Sequence, residues 1–317
     1  MSKLAFLPER TQPKLAYQIV DLWLKSADTG KLSAALFLDL SAGFDVVNID
    51  ILLQKMSAYK FDNLALAWFS SYLKNREQCV QIESSFSSFL PVQWGVPQGS
   101  ILGPLIFFLF INELPSILKA KPQINENVSN QENLNPENID LDITDADTNS
   151  SDIIIFADDN TPTTSCKDPE SLERKIQEDG NSVTKWFDKN DMVCSADKTK
   201  LLIIGTNFNR IHKLEKFNLK LKINICEQVK YESTSEKLLG VIVNNTLTWK
   251  HHIFGDEENL GLLKILSQRI GICKTLRKTM PVSKFKQVVA GIFTSKLIYG
   301  ITVWGGIWNF GRATKFI

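Results

Sequence analysis

The sequence predicts an α+β fold, a largely antiparallel sheet backed by helices and followed by a basic helical tail. Three observations point there: short apolar runs that end at carboxylates, amphipathic helical stretches between those runs, and a late rise in positive charge.

The elements follow in order. Lys14 to Lys25 carries a helical apolar pattern, and Leu32 to Leu40 is an apolar run between Gly30 and Gly43 that suits a buried strand. Helices are expected at 49–59 and 63–74. Residues 78–83 and 88–93 alternate as a hairpin would, and a helix resumes from Ser100 to Leu118 after Pro97-Gln98-Gly99. Pro122 to Asp152 is rich in Asn, Asp, Glu and Gln with neither period, and reads as a disordered acidic insertion within one domain. Asp152 to Ala157 is an apolar strand stopped by the turn-forming Asp158-Asp159-Asn160. A helix at 168–189, strands at 200–205 and 237–243 (the second with Gly240 inside it), and helices at 257–279 and 282–297 complete the chain.

Of 317 residues, 44% are hydrophobic and 22% charged, enough for a real core. Five scattered cysteines suggest neither a disulfide framework nor a zinc knuckle. The first twelve residues lack the apolar run of a secretion signal, and Ile101 to Ile111 is too short and broken to span a bilayer. An intracellular protein with no membrane partner is expected, with nucleus or cytoplasm and oligomeric state undecided. The net charge of +1 averages unlike regions: 122–152 holds eight acids and no Lys or Arg, while from Lys198 onward twenty Lys and Arg face seven Asp and Glu. Such a basic C-terminal third suits a phosphate backbone, although a solvated lysine-rich surface would look the same.

Two clusters carry chemistry. Asp39 closes the apolar run Leu36-Phe37-Leu38, and Asp158-Asp159 close Ile153 to Ala157. Singly, each is more often a turn or cap residue. Together, acids from separate strand ends supply the oxygen ligands that Mg²⁺ prefers, and two such ions, or Mn²⁺ in their place, are what in-line phosphoryl transfer requires.

The succession Phe37-Leu38-Asp39-Leu40-Ser41-Ala42-Gly43-Phe44-Asp45, Gly95-Val96-Pro97-Gln98-Gly99-Ser100-Ile101-Leu102-Gly103-Pro104-Leu105, Phe156-Ala157-Asp158-Asp159, Asp197-Lys198-Thr199-Lys200 and Lys237-Leu238-Leu239-Gly240-Val241 resembles the motifs of non-LTR (LINE-like) retrotransposon reverse transcriptases, over about Leu15 to Trp304. The resemblance implies a right-hand polymerase: a palm with a ferredoxin-like sheet, partial fingers and a helical thumb, divided as fingers and palm over 1–256 and thumb over 257–317. It implies RNA-directed DNA polymerisation on an RNA template with a DNA primer and deoxynucleoside triphosphates. Asp39, Asp158 and Asp159 would be the metal ligands. Phe44, with Ser41, Ala42 and Gly43 ahead of it, would lie under the incoming sugar and reject a 2′-hydroxyl, and Gln98 and Gly99 would lie against nucleotide and template. Lys198 or Lys200 would protonate the leaving pyrophosphate, and residues 237–241, with Thr248-Trp249-Lys250 after them, resemble the hairpin that supports the primer end, although periodicity alone gives a buried strand there. Lys264, Arg269, Lys274 and Arg277, on one predicted helix, would grip the duplex. The family's fingers have a longer basic segment ahead of the first aspartate, where only Arg10 and Lys14 stand here, so truncation is an expectation, as is the lack of an endonuclease. A catalytically impaired remnant that only binds RNA, and a maturase-like or telomerase-like polymerase, are the alternatives.

Overall fold

The structure, a computed structural model, describes residues 11–119, 151–257 and 259–305. The expected disordered insertion lies outside the described residues except at its end, where Asp152 already pairs in a strand.

Helix α1 (Gln12–Asp28) turns Leu15, Ile19, Val20 and Trp23 inward at helical spacing. Strand β1 (Leu32–Phe37) is buried along nearly its whole length because both sheet faces are covered. Helices α2 (Ile49–Ala58) and α3 (Asn63–Leu73) start at Asn48 and Asp62, whose side chains accept from backbone N–H groups of the first turn. The expected hairpin is a split ladder, in which β2 (Arg76–Gln78) pairs with β5 (Leu90–Val92) and β3 (Gln81–Ile82) with β4 (Ser85–Phe86). The helix expected over 100–118 is two, α4 (Leu102–Ile111) and α5 (Leu114–Lys119). Pro115 lacks the N–H that would continue the ladder, so the break falls just before it.

β6 (Asp152–Phe156) folds back into β7 (Asp159–Cys166), a strand its polar sequence conceals. Two of its hydroxyls are bonded inside: Thr163 Oγ1 donates to the Ala34 carbonyl at 2.9 Å and receives Trp23 Nε1 at 2.8 Å, and Ser165 and Ser33 hydroxyls lie 2.7 Å apart. α6 (Pro169–Lys189) starts at Asp168, which accepts from Ser171 N. Then come β8 (Lys200–Ile204), α7 (Asn207–Lys213), β9 (Lys222–Ile225) and β10 (Gln228–Ser233). What periodicity alone reads as one strand over 237–243 is a hairpin, as the resemblance implies, formed by β11 (Ser235–Leu238) and β12 (Val241–Asn244), because Leu239 and Gly240 adopt φ of +46° and +83° and reverse the chain. Helices α8 (Lys250–Phe254), α9 (Leu262–Leu276), α10 (Val282–Val289), a π turn over 290–294, α11 (Ser295–Ile298) and α12 (Ile301–Trp304) follow.

The sheet order is β6-β7-β1-β8-β10-β9, antiparallel except for the β8–β10 pair. Alternation along β1 and β8 sends Leu32, Ala34, Leu36, Leu201 and Ile203 to one face and Ala35, Leu202 and Ile204 to the other. α2, α4, α5 and α6 cover the first face; α1, the β11–β12 hairpin, α8, α9 and α12 cover the second. The run Val282–Trp304, 23 residues of mean hydropathy 1.2, is long and apolar enough to cross a bilayer, a feature not expected from the sequence. Its helix breaks at Tyr299 and Gly300, and Phe293, Leu297, Tyr299, Val303 and Trp304 pack onto the second face.

Candidate active site

Beyond β1 the chain stays extended. Leu38 pairs with Asn160 and Leu40 with Cys194, so Asp39 is held from both sides, its carbonyl accepting from Ser195 N at 2.9 Å. Asp158 occupies the two-residue turn between β6 and β7, where Ala157 has φ of +53°, Phe156 pairs with Asp159, and Asn160 Nδ2 donates to the Asp158 carbonyl at 2.8 Å. The Leu38–Asn160 bridge therefore sets the end of β1 beside the β6–β7 turn, as the sequence clusters suggest.

Asp39 Oδ2 is buried and accepts no hydrogen bond, although Lys198 Nζ lies 3.2 Å away. Burial pushes the Asp159 carboxyl above its ordinary range, the charges of Asp158 and Asp39 add to the rise, and Lys237 opposes it. Asp159 keeps substantial exposed surface, but it faces a cleft of about 160 Å³ that Asp39, Lys198, Lys200, Lys237 and Leu239 also line. Among the described residues no three His, Cys, Asp or Glu side chains converge closely enough to hold a metal ion. The donor chemistry nonetheless suits a hard cation: Asp39 and Asp159 line one cleft, Asp158 adjoins Asp159 in the β6–β7 turn, and a buried Asp39 oxygen lacks a hydrogen bond. Lys198 supplies positive charge beside Asp39. Of the two candidate lysines, Lys198 is the one beside Asp39, while Lys200 opens β8 opposite Phe37.

The segment after Asp39 turns at Ala42, with φ of +52°, and the half-buried Phe44 ring stacks on Phe107 at 4.4 Å. Gly43 packs so closely that a Cβ would stand 3.3 Å from the Phe107 ring, while Ser41 bonds through its N–H to the Val193 carbonyl. Gly95 is obligatory, since a Cβ there would come within 2.7 Å of the Asp45 carbonyl oxygen. Gln98 is exposed and donates through Nε2 to Asp45 Oδ1 at 2.7 Å, so Asp45, unassigned from sequence, holds it. Gly99 has φ of +76° and open space where a Cβ would point. Lys237, expected only as part of the strand or primer-supporting hairpin, is a cation that acts on Asp159. In the helical tail Lys264, Lys274 and Arg277 are exposed, but Arg269 donates through Nη1 to the Ile292 carbonyl in the π turn, a tie inside the helical region.

A family described as reverse transcriptase (RNA-dependent DNA polymerase) matches residues 6–243. The RNA-directed DNA polymerase from mobile element jockey of Drosophila melanogaster is 23% identical over 294 residues, covering 92% of this chain and 28% of that protein. The probable RNA-directed DNA polymerase from transposon BS of the same organism is 35% identical over 92 residues, 29% of this chain and 10% of that one. The chain thus spans less than a third of the length of these relatives. Among solved structures, telomerase from Candida tropicalis in complex with a TWJ fragment of telomeric RNA superposes with a TM-score of 0.47 at 12% identity, over 94% of this chain and 43% of that one.

Proposed function

The chain belongs to the reverse transcriptase (RNA-dependent DNA polymerase) family, in its non-LTR retrotransposon branch, and from that premise we propose that it extends a DNA primer along an RNA template with deoxynucleoside triphosphates. The observation that carries this reading is that the Leu38–Asn160 bridge sets the strand end bearing Asp39 beside the turn bearing Asp158 and Asp159, with Asp39, Asp159 and three lysines lining one cleft.

Membership of the family implies dependence on divalent metal. Two Mg²⁺ ions, or Mn²⁺, held by Asp39, Asp158 and Asp159 would activate the primer hydroxyl and neutralise the leaving pyrophosphate. The protein's own part is positioning and charge. Lys198, beside Asp39, is placed to balance the triphosphate and return a proton to pyrophosphate. Gln98, held by Asp45, presents its amide to the base pair being formed, and Phe44, propped by Phe107, walls the sugar. Residues up to 256 serve as fingers and palm, those from 257 as thumb, and the work is done inside the cell.

A chain that only binds RNA is the competing reading, favoured by the lack of a converged metal-binding triad among the described residues. Primer extension on a defined RNA template, with Mg²⁺ and with chelator, separates the two. Template-dependent and chelator-sensitive extension is expected, falling by roughly 10²–10³-fold or more in Asp158→Asn while template binding persists. An equally active Asp158→Asn protein would remove these acids from the reaction.

A further inference from the structure

The β11–β12 hairpin forms one wall of the acidic cleft through Glu236, Lys237, Leu238 and Leu239. Its turn is unusual in chemistry. A two-residue turn with positive φ at both positions normally takes Asn-Gly or Asp-Gly, whereas here the first position is Leu239, at φ of +46° and buried. A bulky L-residue in that conformation persists only where its surroundings over-determine it.

The surroundings are supplied by Tyr299, sixty residues downstream. Its hydroxyl lies 2.7 Å from the Leu239 carbonyl and 2.8 Å from the side-chain amide of Gln12, at the start of α1. Its one phenolic proton is shared between the Leu239 carbonyl and Gln12 Oε1, both within bonding distance as acceptors. The ring fits where Gly240 has no side chain: a Cβ there would stand 3.0 Å from Cε1 and 3.1 Å from the hydroxyl. Burial raises the Tyr299 pKa, so the group stays a donor. The backbone aims it deliberately, because the helix ends at Tyr299, with ψ of 121°, and reverses at Gly300, where a Cβ would meet Val241 at 2.8 Å. Trp304 Nε1 closes the loop on the Tyr299 carbonyl at 3.0 Å.

We infer that Tyr299 is a positioning residue that latches the cleft-wall turn Leu239-Gly240 to both the C-terminal helices and α1, and so sets where the primer end lies relative to Asp39 and Asp159. Lys237, on the same hairpin and paired with Ile242, also lines the cleft. For its activity readout the inference rests on the polymerase reading above, and a second readout is independent of it.

The test is Tyr299→Phe in the full chain, which keeps the ring and removes only the hydroxyl. Expected are a fall of about tenfold in kcat for primer extension, with KM for deoxynucleotide and affinity for primer–template within about twofold. Backbone amides in residues 235–244 should exchange faster while those of β1 and β7 keep their rates. Gly240→Ala, which presses on the ring from the other side, should give the same pattern, and the double variant should be no worse than either alone. A tyrosine that merely fills space predicts unchanged kcat and exchange in Tyr299→Phe, and either result overturns the latch. Wild-type protein that extends no primer would sink the polymerase reading, while the exchange measurement would still decide the latch.

Discussion

The two faces of the central sheet are covered by different parts of the chain. The first face is closed by α2, α4, α5 and α6, all drawn from the stretch between residues 32 and 225, and it props Phe44 through Phe107. The second is closed by the described ends of the chain together, α1 with the hairpin and helices from Leu238 to Trp304. Asp39 and Asp159 sit between them, so the cleft takes its floor from the sheet and one wall from the terminal layer. The terminal layer is therefore held to the rest of the fold by contacts of very long sequence separation, such as Tyr299 with Gln12 and Trp23 with Thr163.

The hardest test of that contrast is Trp23→Ala. Trp23 is fully buried in the terminal layer, so truncation should cost about 3–5 kcal/mol, seen in denaturant unfolding as one cooperative transition. Two separate transitions would show that the terminal layer melts by itself and that the faces are independent units.

His252 probes the same layer by pH. It is buried, accepts from Ile242 N at 3.3 Å, and has its pKa lowered to about 4, by burial first and then by the charge of Lys296. The unfolded chain binds a proton near 6.5 while the folded one does not, so stability is full above about 6.5 and is lost as pH falls toward 4. The contribution is on the order of 3 kcal/mol. His252→Gln should flatten this limb of the stability profile relative to wild type; superimposable profiles would place the acid sensitivity elsewhere.

On the first face, Phe44→Val distinguishes a sugar gate from a packing residue. The gate predicts that ribonucleotide incorporation rises by about tenfold relative to deoxynucleotide in a folded protein. Loss of both activities with loss of stability would leave the ring only its stacking on Phe107.

The smallest effects belong to the exposed cations of α9. Replacing Lys264, Lys274 and Arg277 by Gln should reduce the salt dependence of primer–template binding by roughly one unit of slope per lost phosphate contact. Arg269→Gln should instead lower stability, because that guanidinium is spent on the Ile292 carbonyl. An unchanged slope in the triple variant would make those three residues solubilising charges.

Much of the site was legible because strand ends announce themselves. Apolar runs stopping at Asp39 and at Asp158-Asp159 are local patterns, and burial of such runs in a two-sided sheet follows from their composition alone. Helix starts at Asp62 and Asp168 were legible for the same reason, since capping is a short-range bond.

β7 was not legible, because a strand of Asn, Thr, Pro and Ser is stable only where neighbours on both sides satisfy its hydroxyls and backbone. The Leu239-Gly240 reversal was implied by the family resemblance but not by local chemistry: Leu-Gly carries weak turn chemistry, and a hydroxyl from Tyr299 bonds to it. The sequence by itself determined which segments are apolar, where carboxylates interrupt them and where several helices begin, since these depend on residues within a turn or two; the tail helix expected from 257 starts only at Leu262, and α7 and α8 were not expected. Which lysine stands beside Asp39, what holds Gln98, and how the hairpin closes the cleft were decided by tertiary structure, because each rests on a contact that only the packed sheet and its two covering layers bring within bonding distance.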